Sequence, residues 1–196
     1  MNEKMLYSYR LYFTGVVTIA IGALLLWTHY NGGVPNHHLL HRKELPAISN
    51  WWSGLLIPLV TWFLLSRIQK RIIQAKDGES PIEQISGNII LGFIGALCYG
   101  ASMAIFFAYD LGYITGYMLL GLLLIAFFYP VYRSEFILGF ILGMTFTFGA
   151  FIPAAIACIF SLLGLLIYRF FRPALFYIFS RIFSSVAPKK EGRSDR

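Results

Sequence analysis

Every histidine of this 196-residue chain, His29, His37, His38 and His41, falls in one short window, and Arg42, Lys43 and Glu44 follow at once. Imidazole and carboxylate together suit zinc, copper or nickel, and three protein ligands with an open fourth position make a catalytic-zinc pattern. Asn31-Gly32-Gly33-Val34-Pro35 reads as a turn, with Asn36 as the cap of a short helix over 37–45. On such a helix His37, His41 and Glu44 stand four and three residues apart and share a face. His38 projects about 100° away from them, and His29 can swing in as a further ligand. The cofactor implied is Zn or another transition metal. Histidine also titrates near pH 6.5, about the middle of the physiological range, so a proton-sensitive gate is a second use of the same residues. A third reading is plainer: an HHxxH without a second ligand box also occurs in an ordinary wet loop.

Other reaction signatures are missing. The chain has no Gly-rich phosphate loop ending in Gly-Lys-Ser/Thr, no GxSxG elbow and no HExxH. The reading therefore leans away from an enzyme.

The elements that must hold the loop are apolar. Hydrophobic residues make up 58% of the chain and charged residues 13%, about half the charge of an average globular protein, roughly 25%. No charge occurs over 11–28, 45–66, 84–109, 111–132 or 136–168. A helix needs about 20 mostly apolar residues to cross the hydrocarbon core, where backbone groups find no partner except one another. The expectation is an all-α polytopic membrane protein with six transmembrane helices near 11–29, 50–67, 84–108, 112–130, 135–151 and 153–171, forming one domain over 1–172. The last two spans come from a single uncharged run, which Gly149 and Pro153 divide. Residues 173–196 form an amphipathic helix on the inner leaflet with a basic tail, anchored by apolar burial and by attraction to anionic lipid.

Charge sets the orientation, because cytoplasmic loops near spans collect Lys and Arg. Six spans with both termini inside place every basic residue on the inner face except Arg42 and Lys43. Five spans would strand the seven from Arg169 to Arg196 outside. Trp27, Trp51 and Trp52 then mark the outer membrane interface. Asp110, Tyr109 and Tyr113 share that face and are the candidate outer-sphere contacts of a metal. Basic segments are accounted for by topology, so nucleic acid is not an expected partner; the lipid bilayer is. The expected location is a bacterial cytoplasmic membrane.

Within the spans, Gly92, Ala96, Gly100, Ala104 and Ala108 recur every fourth residue. Such a stripe lets helix backbones approach closely, inside one chain or across a homodimer. Ser80-Pro81-Ile82-Glu83 reads as a capping box, Pro58 as a kink, and Cys98 and Cys158 as small packed hydrophobes. No ionisable group lies at mid-span, which argues against a coupled pump. The functional expectation is binding or permeation of a small solute through a compact uncoupled bundle, gated by the outer loop 30–49. The alternatives are a membrane enzyme with a histidine metal site at the outer face and a non-catalytic scaffold or assembly factor. Elemental analysis of purified protein separates the loop readings. A wet loop predicts equal, near-zero metal in wild type and His37→Ala/His41→Ala. Stoichiometric metal in wild type alone establishes the metal site.

Overall fold

The computed structural model describes residues 3–31, 36–38, 47–76, 82–173 and 177; for 36–38 and 47–50 only the backbone is described. Six helices dominate: α1 Glu3–Tyr30, α2 Ser53–Lys76, α3 Ile82–Ala108, α4 Gly112–Phe128, α5 Ser134–Phe148 and α6 Phe151–Leu166. A π-helical turn, Ile167–Phe171, extends α6. Three of these, α1, α3 from Gln84 and α6 through Phe171, are long and apolar enough to cross a membrane; α4 and α5 are shorter apolar helices.

Local chemistry explains the ends. α1 has Glu3 in its first turn and His29 in its last, the arrangement that complements the helix dipole. It stops where Asn31 folds back, its amide nitrogen donating to the Trp27 carbonyl at 2.9 Å. After α3 the chain reverses at Asp110, whose φ is 63°. Asp is one of the few residues that tolerate this left-handed conformation. The amides of Asp110 and Leu111 return to the Phe107 and Phe106 carbonyls, so Asp110 is accounted for as a turn residue. α4 stops before Pro130. The apolar run beyond Glu135 divides at Gly149, whose φ is 67°, and Pro153 sits in the first turn of α6, where its missing donor costs nothing. The Ala150 amide donates to the buried Ser53 hydroxyl at 2.8 Å, tying this turn to the start of α2.

Contacts fix the directions. Leu25 lies over Gly54 and Arg10 over Trp62, so α1 and α2 are antiparallel. Gly92 faces Glu135 and Gly100 faces Phe140 and Met144, so α3 and α5 run parallel. Tyr99 donates to the Met118 carbonyl at 2.5 Å, with α4 antiparallel to α3. The helices therefore alternate, and one end of the bundle gathers the α1–α2 connection with the α3–α4 and α5–α6 turns. The other end gathers the start of α1, the basic end of α2, the α4–α5 turn and the end of α6.

α5 is the central element. Phe136, Leu138, Gly139, Phe140, Ile141, Met144 and Thr145 are buried along it. The small-residue stripe of α3 serves this helix: a methyl group added at Gly139 or Gly143 would run into the Phe93 or Leu97 carbonyl oxygen, so backbone meets backbone. Ala96 and Ala104 are buried with it, whereas Ala108 is exposed.

Two expectations need correction. The short loop helix does not form at its start: Asn36–His38 pairs antiparallel with Ala47–Ser49, His37 opposite Ile48. Extended backbone at His37 and His38 removes the helical register that the three-and-four spacing required. Cys98 and Cys158 are exposed on helix surfaces rather than packed inside, because the small-residue face of α3 is already committed to α5. Pro58 lies inside the single helix α2. The capping box and nearly all of 173–196 fall outside the residues whose side chains are described.

The glycine seam gives a stability test. Gly139→Ala and Gly143→Ala should each lower unfolding free energy by about 1–3 kcal/mol through overpacking. Gly112→Ala and Gly116→Ala face open space and should stay within about 0.5 kcal/mol of wild type or gain slightly. Denaturant unfolding in mixed micelles reads both; equal effects at all four positions contradict the seam.

Candidate functional site

α2 places Phe63, Ser66, Arg67, Lys70, Arg71 and Gln74 at three- and four-residue steps, which puts them on one face of the helix. Opposite that face, Pro130 ends α4 and the chain turns through Tyr132, Arg133 and Ser134 into Glu135, in the first turn of α5. Together they line an open cavity of about 580 Å³.

Glu135 sets its geometry. The side chain is 1% exposed, and its Oε1 accepts a hydrogen bond from Arg71 Nη1 at 2.6 Å in a salt bridge. A carboxylate so far from water is tolerated only with a paired cation, because desolvation costs several kcal/mol. Arg71 is 32% exposed, so it meets the carboxylate from the cavity side. Gly92 leaves room for the Glu135 methylene and for the Tyr129 hydroxyl, which is buried without a hydrogen-bond partner. With the Arg71 charge answered by Glu135, the cavity still holds Arg67, Lys70 and Arg133. No ion pair joins these three to an acid among the described residues. Arg133 is also the N-cap of α5 and no side chain caps that helix, so the positive end of its dipole adds to the field.

The walls are aromatic. Tyr132 meets Tyr168 edge to face at 5.9 Å, and Arg172 lies over the Tyr168 ring at 4.6 Å. These contacts bind the π-helical end of α6 to the α4–α5 turn. The arrangement can hold an anion; it presents no nucleophile paired with a base.

The histidine end offers less. His29 stacks edge to face on Tyr30 and Trp51 at 5.4 and 5.9 Å. Tyr109 and Tyr113 are exposed, and no hydrogen bond, ion pair or ring contact joins them or Asp110 to His29 among the described residues. Those residues contain no group of three metal-ligating side chains. The side chains of His37, His38, His41 and Glu44 lie outside the described residues. Trp27, Trp51 and Trp52 are all exposed. Among the hydroxyls inside the helices, Thr18 and Thr145 donate to the carbonyls four residues back, of Thr14 and Ile141, whereas those of Thr14, Thr61 and Thr115 are buried without a hydrogen-bond partner.

Sequence reading passed over Glu135 because it borders a long apolar run and resembles an ordinary flanking charge. The available signal was the acid-base imbalance at this end, where Glu135 is bracketed by Arg133 and the Arg67–Arg71 cluster. Comparison with protein-family models, curated proteins and solved structures gives no match.

The pair predicts asymmetric mutant effects. Arg71→Met leaves a buried unpaired carboxylate and should cost about 3 kcal/mol. Glu135→Gln leaves a guanidinium that can turn toward water, and should cost nearer about 1 kcal/mol. A double-mutant cycle should return a coupling of about 0.5–3 kcal/mol; additivity would show the pair to be energetically idle.

Proposed function

We propose that this chain is a six-span membrane protein with both termini in the cytoplasm, which binds a small anionic solute in the cleft between α2 and the start of α5. The observation that carries the reading is a cavity of about 580 Å³ lined by Arg67, Lys70, Arg71 and Arg133, with Glu135 as the one acid among the described residues that line it. Arg67 and Lys70 are exposed and Arg133 is half-buried, so their donors are open to an anion and can form charge-assisted hydrogen bonds with it. The topology is supported by the alternating helix directions, which put Lys4, Arg10, Arg169 and Arg172 at the same end as the cleft, in keeping with the positive-inside bias.

This moves the solute from under the outer loop to the opposite face. The bundle core favours binding over open permeation. The interior void between α4, α5 and α6 is of order 10 Å³ and apolar, lined by Leu122, Phe136, Phe140 and Phe160, so it is smaller than a single solute molecule. The host membrane proposed is the bacterial cytoplasmic membrane, where the inner face meets soluble phosphorylated and carboxylated metabolites.

Two measurements test this. Cysteines introduced at positions 38 and 78 should label from opposite sides of sealed vesicles; labelling of both from one side breaks the topology. In neutral detergent at constant ionic strength, inorganic phosphate should raise the melting temperature of wild type and leave Arg67→Gln/Lys70→Gln/Arg133→Gln unchanged. Ligand at about 100 times its Kd stabilises by about 2.7 kcal/mol. Equal shifts in both proteins would overturn the anion site.

A further inference from the structure

The cleft is not symmetric, and its asymmetry names the form in which the anion arrives. On α2, Leu55, Leu59, Phe63, Arg67 and Arg71 follow one another at four-residue intervals and so lie along one face. The first three are apolar and more than half exposed, with Leu59 at 57% and Phe63 at 58%. Phe63 is also part of the cavity lining. The cationic cleft therefore opens without interruption onto an exposed apolar track that runs about 12 Å, at 1.5 Å per residue, from Phe63 back to Leu55. A soluble anion uses only the charged half of such a surface. A molecule with a phosphate head and a hydrocarbon tail uses both halves.

We infer that the cleft seats the phosphate headgroup of an anionic phospholipid from the cytoplasmic leaflet, with an acyl chain lying on Leu55, Leu59 and Phe63. The inference rests on the reading of the cleft as an anion site and adds its occupant. Guanidinium groups recognise phosphate oxygens through paired N–H donors, and Arg67 and Arg133 reach the headgroup from opposite walls while Lys70 adds a point charge. Glu135 acts as a positioning residue: by holding Arg71 it keeps that guanidinium at the cavity floor. Tyr132, seated between the cavity and Tyr168, borders the headgroup at the level where amphipathic rings favour the interface. Basic pockets between transmembrane helices on the cytoplasmic side have this chemistry generally.

The test uses the full chain in maltoside micelles doped with phosphatidylglycerol or phosphatidylcholine, with retained lipid counted by native mass spectrometry. Soluble glycerol 3-phosphate serves as the tail-less probe. Wild type should retain phosphatidylglycerol at least tenfold better than phosphatidylcholine and than glycerol 3-phosphate. Arg67→Gln/Lys70→Gln/Arg133→Gln should lose that preference. Leu55→Ala/Leu59→Ala should weaken phosphatidylglycerol retention severalfold yet leave the phosphate-induced melting shift intact, which also shows that the variant is folded. Equal binding of phosphatidylglycerol and glycerol 3-phosphate, unmoved by Leu55→Ala/Leu59→Ala, overturns the lipid assignment while the anion site stands. Loss of all selectivity in wild type overturns both.

Discussion

Burying a carboxylate beside an apolar bundle is the constraint around which this structure is arranged. Glu135 has almost no contact with solvent, and without a counter-charge its desolvation would cost several kcal/mol. The answer comes from Arg71, sixty-four residues away in sequence, so α2 and α5 must be held at a fixed separation and level. The α3–α5 seam does this from behind. Because Gly139 and Gly143 let α5 lie against the α3 backbone, Glu135 comes level with Gly92, and the carboxylate faces α2. At the other end of α5, the Ala150–Ser53 hydrogen bond fixes the same two helices a second time. Breaking either tie would let the charge pair drift.

The short length of α5 has a consequence for function. It begins level with Gly92, ten residues after α3 starts, so its first turn is recessed by about 15 Å from the end of α3. That recess turns a helix N-terminus, usually wet, into the floor of a cleft. Arg67, Lys70 and Arg133 then line a space in which Glu135 is the one acid among the described residues. Charge imbalance and enclosure arise from the same feature, which is why the proposed binding role follows from the fold rather than being added to it.

Much of the helical plan is legible in the sequence. The charge-free runs locate six helices, and the Gly149–Pro153 region marks the division between the last two, since a positive-φ glycine and a proline both interrupt helices. The four-residue spacing of Gly92, Ala96 and Gly100 announces close packing, although not its partner. The site was far less visible. Histidine spacing draws attention because imidazole is scarce, yet spacing is meaningful only in the right local structure, and 36–38 is a paired strand rather than the first turn of a helix. Glu135 was hidden for the opposite reason. One acid next to Arg133 looks like a solvated flank, and only the tertiary packing of α5 against α2 and α3 reveals that it is buried and paired. Cys98 and Cys158 make the same point, because helix periodicity cannot say which apolar face turns inward when nearly every face is apolar.

The most direct examination of the central claim is an electron cryo-microscopy map of the protein in nanodiscs containing phosphatidylglycerol. The account predicts phosphate density held among Arg67, Lys70 and Arg133, with Arg71 still bound to Glu135 and hydrocarbon density along Leu59 and Phe63. An Arg71 side chain turned away from Glu135, or a cleft filled by the protein's own acidic groups, would contradict it.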